Sequence, residues 1–97
     1  MIHIGGRKRI EPHLITNMDA DENYTIVTMN TGKKIIVATT LKVMEARFEA
    51  HKNFIRVNRS LILNTDYALI QDGSFLLPDQ RIVGFSRRRL RKFNSIS

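Results

Sequence analysis

Apolar residues fall along this chain in short runs, each broken after a few positions by turn-forming residues, and that pattern predicts strands. Residues 1–4 and 7–11 flank Gly5-Gly6, a two-residue loop that suits a tight hairpin. Pro12 interrupts, and His13-Leu14-Ile15 gives another short apolar run. Residues 17–23 are polar and acidic and are expected to form a loop. Residues 24–29 and 34–38 are rich in β-branched side chains and bracket Asn30-Thr31-Gly32-Lys33, a good hairpin turn.

The period then changes. Thr39 or Thr40 can cap a helix running to about residue 49, with Leu41, Met44 and Phe48 as its apolar stripe and Val43 off that stripe. Five more strand-like runs follow, at residues 54–57, 61–63, 68–70, 75–77 and 81–83. Asn58-Arg59-Ser60, Asn64-Thr65-Asp66, Gln71-Asp72-Gly73-Ser74 and Pro78-Asp79-Gln80 separate them. Ser86 can cap a short C-terminal helix in which Leu90 and Phe93, three apart, anchor one face. Many short strands with one mid-chain helix predict a mainly-β sandwich or barrel. There is no repeat and no low-complexity segment.

The 97 residues are expected to form one domain, and with 42% hydrophobic residues they can bury a core. The net charge of +7 favours nucleic acid, an anionic membrane surface or an acidic protein as partner. The charge is also uneven. Residues 1–50 carry seven Lys/Arg against six Asp/Glu, whereas residues 51–97 carry nine against three. With no cysteine, neither a disulfide framework nor thiolate chemistry is available. No signal-peptide h-region and no apolar run near the ~18 residues of a membrane span occur, so the expected location is the cytoplasm.

Two constellations carry most of the chemistry. In Ser86-Arg87-Arg88-Arg89-Leu90-Arg91-Lys92-Phe93, three arginines occupy the first turn of the expected helix. The positive end of the helix dipole lies there, so cations cost stability unless an anion joins them. A solvated basic tail is the plainer explanation of the same residues. The second constellation is the run from Phe54 to Asn64, FIRVNRSLILN, in which two apolar strands pinch a polar Asn58-Arg59-Ser60 tip. Period two puts Ile55 and Val57 on one face and Arg56 and Asn58 on the other. An Arg at such a tip can pair with a guanine edge or grip a phosphate. The tip equally suits a plain hairpin turn, with Asn58 and Ser60 satisfying local backbone groups.

The same run, followed about twenty residues later by Phe85-Ser86-Arg87-Arg88-Arg89-Leu90, resembles the LytTR-type DNA-binding domain of bacterial transcription regulators. Asn23-Tyr24 before a strand and Thr39-Thr40-Leu41-Lys42 opening the helix match the family upstream, and the resemblance spans about residues 10–93. It implies an elongated stack of small antiparallel β-sheets with little helix, whose loops enter successive major grooves on one side of double-stranded DNA. Carried over position by position, base reading falls to Tyr24 or its neighbour Asn23, to Arg59 and to Arg88. Asn58, Ser60, Ser86, Arg87 and Arg89 adjoin them, mainly on phosphates. Asp19, Asp21 and Glu22 make the first of these loops acidic, which departs from what a phosphate-facing loop prefers. Such domains commonly follow a receiver or sensor module; none is seen in this sequence, which reads as a stand-alone regulator or an output domain.

Other chemistries find no support in the sequence. Asp19-x-Asp21-x-Asn23 opens like a calcium loop but has Tyr24 where glycine is needed and Asn30 where glutamate is needed. His3, His13 and His51 lack a metal-ligand spacing, and Gly32-Lys33 lacks the upstream glycine of a P-loop. The chain is therefore expected to be no enzyme, to need no cofactor, metal or small-molecule substrate, and to have no membrane partner. The expected partner is double-stranded DNA, bound by two copies on repeated half-sites. A β domain for RNA or single strands and a protein-interaction module with a basic docking patch are the alternatives. The first fits poorly, because only 7% of residues are aromatic and most lie in apolar runs.

Overall fold

Turn chemistry sets the pairing of nearly every strand. In a computed structural model, which describes residues 1–84, β1 (Ile2–Gly5) and β2 (Lys8–Ile10) form a two-stranded hairpin. A five-stranded sheet comprises β3 (Ile15–Asp21), β4 (Tyr24–Met29), β5 (Lys34–Val37), β6 (Phe54–Asn58) and β7 (Leu61–Asn64), in the order β5-β4-β3-β7-β6. A three-stranded meander of β8 (Leu69–Gln71), β9 (Ser74–Leu76) and β10 (Ile82–Gly84) completes the set. All pairings are antiparallel, and the molecule extends over 37 × 24 × 24 Å. Among the described residues it is a mainly-β stack of small sheets with one α-helix, α1 (Leu41–Arg47), as the resemblance implies. The expected C-terminal helix from Ser86, with Leu90 and Phe93, lies outside the described residues.

One element overturns its expectation. Residues 17–23 are not a loop; β3 runs to Asp21 at the centre of the large sheet, and only Glu22 and Asn23 form the turn. The polar side chains are accommodated by local hydrogen bonds. Thr16 Oγ1 donates to Asn17 Oδ1 at 2.8 Å, and Asn17 Nδ2 donates to Asp19 Oδ2 at 2.8 Å. Met18, fully buried, and Ala20 supply an alternating apolar face too thin to stand out among acidic neighbours. The short run at His13-Leu14-Ile15 is likewise no strand of its own: Pro12–Leu14 is a 3₁₀ turn and Ile15 opens β3.

Two apolar cores lie on the two faces of the large sheet. Met18, Val27 and Ile62 face β1, β2 and α1, joining Ile4, Leu41, Met44 and Phe48. Val57, Leu61 and Leu63 face the meander, joining Phe75 and Leu77. Strand β7 serves both, because its alternate residues point to opposite sides. Thr40 is the helix cap, its hydroxyl accepting from Val43 N at 3.4 Å. Leu41, Met44 and Phe48 are buried and Val43 is exposed, as the stripe requires, but the helix stops at Arg47, two residues short of expectation.

Gly5 locks the hairpin onto this scaffold. Its φ is +148°, and an added Cβ would lie 2.5 Å from Thr39 Oγ1 and 3.0 Å from Val37 Cβ. Gly5→Ala is therefore expected to cost about 2 kcal/mol in urea unfolding, from backbone strain plus displacement of Thr39. A midpoint like that of the parent chain would show that the hairpin packs loosely there.

Candidate nucleic-acid interface

Strand register decides which turns share an end of the molecule. Asp19 pairs with Leu61 across β3 and β7, and beyond them Ala20 N donates to Ser60 O at 2.9 Å. The Arg59-Ser60 turn of β6 and β7 therefore lies beside the Glu22-Asn23 turn of β3 and β4. The two hairpins are adjacent in the sheet, so their midlines lie two strand spacings apart, roughly 10 Å.

The β6–β7 tip is held from within. Asn58 Oδ1 accepts from Ser60 N at 2.8 Å, closing an Asx turn. Arg56 reaches under the same turn. Its NH2 donates to Arg59 O at 2.9 Å, its Nε donates to Asn58 O at 3.3 Å, and its NH1 meets Glu45 Oε1 on α1 at 3.0 Å. The Arg56 side chain is only 13% exposed, so its charge is spent on holding the tip and joining it to the helix. A register shift between Arg56 and Asn58 accompanies this geometry. Arg59 projects instead: it is exposed and makes no side-chain hydrogen bond or ion pair among the described residues. Ser60 is exposed beside it.

At the neighbouring tip Asn23 is exposed, and Tyr24, the first residue of β4, is 49% exposed. The acidic character of this tip is milder than the sequence suggests. Asp19 sits back in the strand, and Arg81 grips both its oxygens at 2.7 and 3.1 Å while also bonding Asp79 at 2.8 Å. Hydrogen bonding to Asp19, then attraction to both carboxylates against the opposing effect of burial, holds the Arg81 guanidinium above its ordinary value and charged. Asp21 and Glu22 remain exposed at the turn itself.

Five of the nine residues singled out from sequence thus come together at one end: Asn23, Tyr24, Asn58, Arg59 and Ser60. Ser86, Arg87, Arg88 and Arg89 lie outside the described residues. Arg56 was not singled out, although an arginine inside an otherwise apolar strand, on the face of Asn58, was a usable signal. Nothing local in the sequence announces the Arg81–Asp19 pair, whose partners are 62 residues apart.

A β scaffold that projects polar and cationic hairpin tips from one end, on a chain of net charge +7, has the make-up of a loop-based nucleic-acid-binding module. The sequence model of the family described as LytTr DNA-binding domain matches residues 6–97, and the chain belongs to this family of DNA-binding domains. Among solved structures, its fold is similar to the LytTr DNA-binding domain of a protein described as a methyl-accepting/DNA response regulator from Bacillus cereus. The TM-score is 0.60 at 18% identity, over 87% of this chain and 81% of that one. No curated protein matches the chain at a significant level. Among the described residues, no helix is long and apolar enough to cross a membrane.

Proposed function

We propose that this domain binds double-stranded DNA sequence-specifically as part of a bacterial transcription regulator, with the two adjacent hairpin tips entering a single major groove. The observation that carries the reading is Arg59, exposed and without a partner among the described residues on a turn whose backbone is held by Arg56 and Asn58. The spacing of the tips, roughly 10 Å, suits a groove about 12 Å wide. Arg59 reads a base edge, and Tyr24 or Asn23 reads another. Asn58, whose Nδ2 remains available, and Ser60 engage phosphates. Arg88 serves the neighbouring groove, with Ser86, Arg87 and Arg89 on its phosphates. The 97 residues act as one cytoplasmic binding unit, two copies of which occupy repeated half-sites. A platform for single strands is disfavoured, since Tyr24 is the one strongly exposed aromatic among the described residues.

Selection from a random duplex library, with single strands and RNA as competitors, is expected to enrich one motif. Arg59→Ala is then expected to weaken that motif by about 1–3 kcal/mol more than random DNA. Equal losses on both would make Arg59 a phosphate contact only, and the absence of any enriched motif would defeat the sequence-specific reading.

A further inference from the structure

We propose that the turn of the β1–β2 hairpin, with Arg7 and Lys8, and the adjoining Lys42 on α1 form a phosphate-binding flank to the two reading tips. The inference rests on the reading above and extends its footprint beyond every residue assigned there. All three cations are exposed and make no hydrogen bond or ion pair among the described residues. Of the carboxylates on the adjoining segments, Glu11 meets the N-terminus at 3.7 Å and Glu45 meets Arg56, while Asp21 and Glu22 stay on the separate β3–β4 turn.

Register fixes where this flank lies. The hairpin turn is anchored through Gly5 against Thr39 and Val37. Val37 pairs with Thr25, the residue after Tyr24, and Thr25 Oγ1 donates to Thr39 O at 2.5 Å. The Gly6-Arg7 turn and the start of α1 therefore sit at the same end of the large sheet as the Asn23 and Arg59 turns, on the β5 side. From the point midway between the two tips to β5 is about two and a half strand spacings, roughly 12 Å, comparable with the width of a major groove. Cations at that offset meet the phosphates on the groove's rim while the tips occupy its floor. The hairpin is also stiff enough to hold a register on the duplex. The His3 ring bonds Gly6 O at 2.7 Å across the turn, and Arg47 NH1 donates to His3 O at 3.1 Å, tying the hairpin to α1. Contacts of this kind position a protein on DNA without reading sequence.

The test compares two variants of equal charge by titrating labelled cognate and random duplexes across a range of KCl concentrations. Arg7→Gln/Lys8→Gln/Lys42→Gln removes the flank. Lys33→Gln/Lys34→Gln/Lys52→Gln removes three cations from the opposite end of the sheet, where the β4–β5 turn and the start of β6 lie. The flank variant is expected to lose affinity for both duplexes by the same factor, about tenfold or more near 0.1 M salt, and to flatten the log-log salt slope by about 2 to 3. The control is expected to keep most of its slope. If the flank variant matches the parent, if both triples lose equally, or if only the cognate duplex is affected, the flank is refuted. Failure of the parent protein to bind any duplex, or indifference to Arg59→Ala, would instead defeat the underlying reading.

Discussion

Arg56→Met is expected to erase most of the preference for a cognate duplex and to lower stability by about 2–3 kcal/mol, although Arg56 itself need not touch DNA. The substitution removes the guanidinium that bonds Glu45 and the donors to the carbonyls of Asn58 and Arg59. Glu45 is partly exposed, so water recovers some of the loss, which keeps the figure below that of a fully buried pair. Arg56→Lys separates the two roles. An ammonium can still meet Glu45, but it cannot span two carbonyls and a carboxylate as a planar guanidinium does. Its urea midpoint is expected to stay near that of the parent while its ratio of cognate to random affinity falls about tenfold, the loss that follows if Arg59 makes the proposed bidentate base contact and is displaced from it. A lysine variant with parental discrimination would show that the tip keeps its shape unaided.

The second large effect is purely structural. Asn64 ends the motif from Phe54 and is fully buried. Its Nδ2 donates to Ile15 O at 2.9 Å, and its Oδ1 accepts from Asn53 Nδ2 at 3.0 Å and Asp66 N at 2.9 Å. Asn64→Leu strips all three groups of their partner and is expected to cost about 3–4 kcal/mol. For a domain of this size that lowers Tm by about 15 °C or more. Asn64 lies opposite Phe54, at the far end of β7 from the Arg59 turn. Below its melting range the variant is therefore expected to bind the cognate duplex as the parent does. Weak binding by a fully folded Asn64→Leu protein would place this residue in the DNA face after all.

Legibility in the sequence tracked how local each determinant is. The Asn30–Lys33 turn and the Asn58-Arg59-Ser60 tip are set by neighbouring residues and appear as the pattern predicts, whereas the first hairpin turns one residue later than expected, at Gly6-Arg7, because Gly5 still pairs with Lys8 as the end of β1. Strand β3 escaped notice because its buried polar residues are satisfied by partners in the folded state, such as Thr16 with Thr28 O, and not by apolar character. The role of Arg56 depends on α1 folding across the sheet to bring Glu45 beside it. The Arg59 tip could be located from sequence, but its proximity to the Asn23 turn could not, because that follows from β3 and β7 pairing over more than forty residues.

A further consequence follows from β7 belonging to both cores. Peeling away either outer layer exposes one side of this strand, so its amides should be released to solvent only by near-complete unfolding. The Arg59 turn is joined directly to it. A controlling signal therefore has no cheap way to switch binding off by melting that turn; masking the face is the route the fold leaves open.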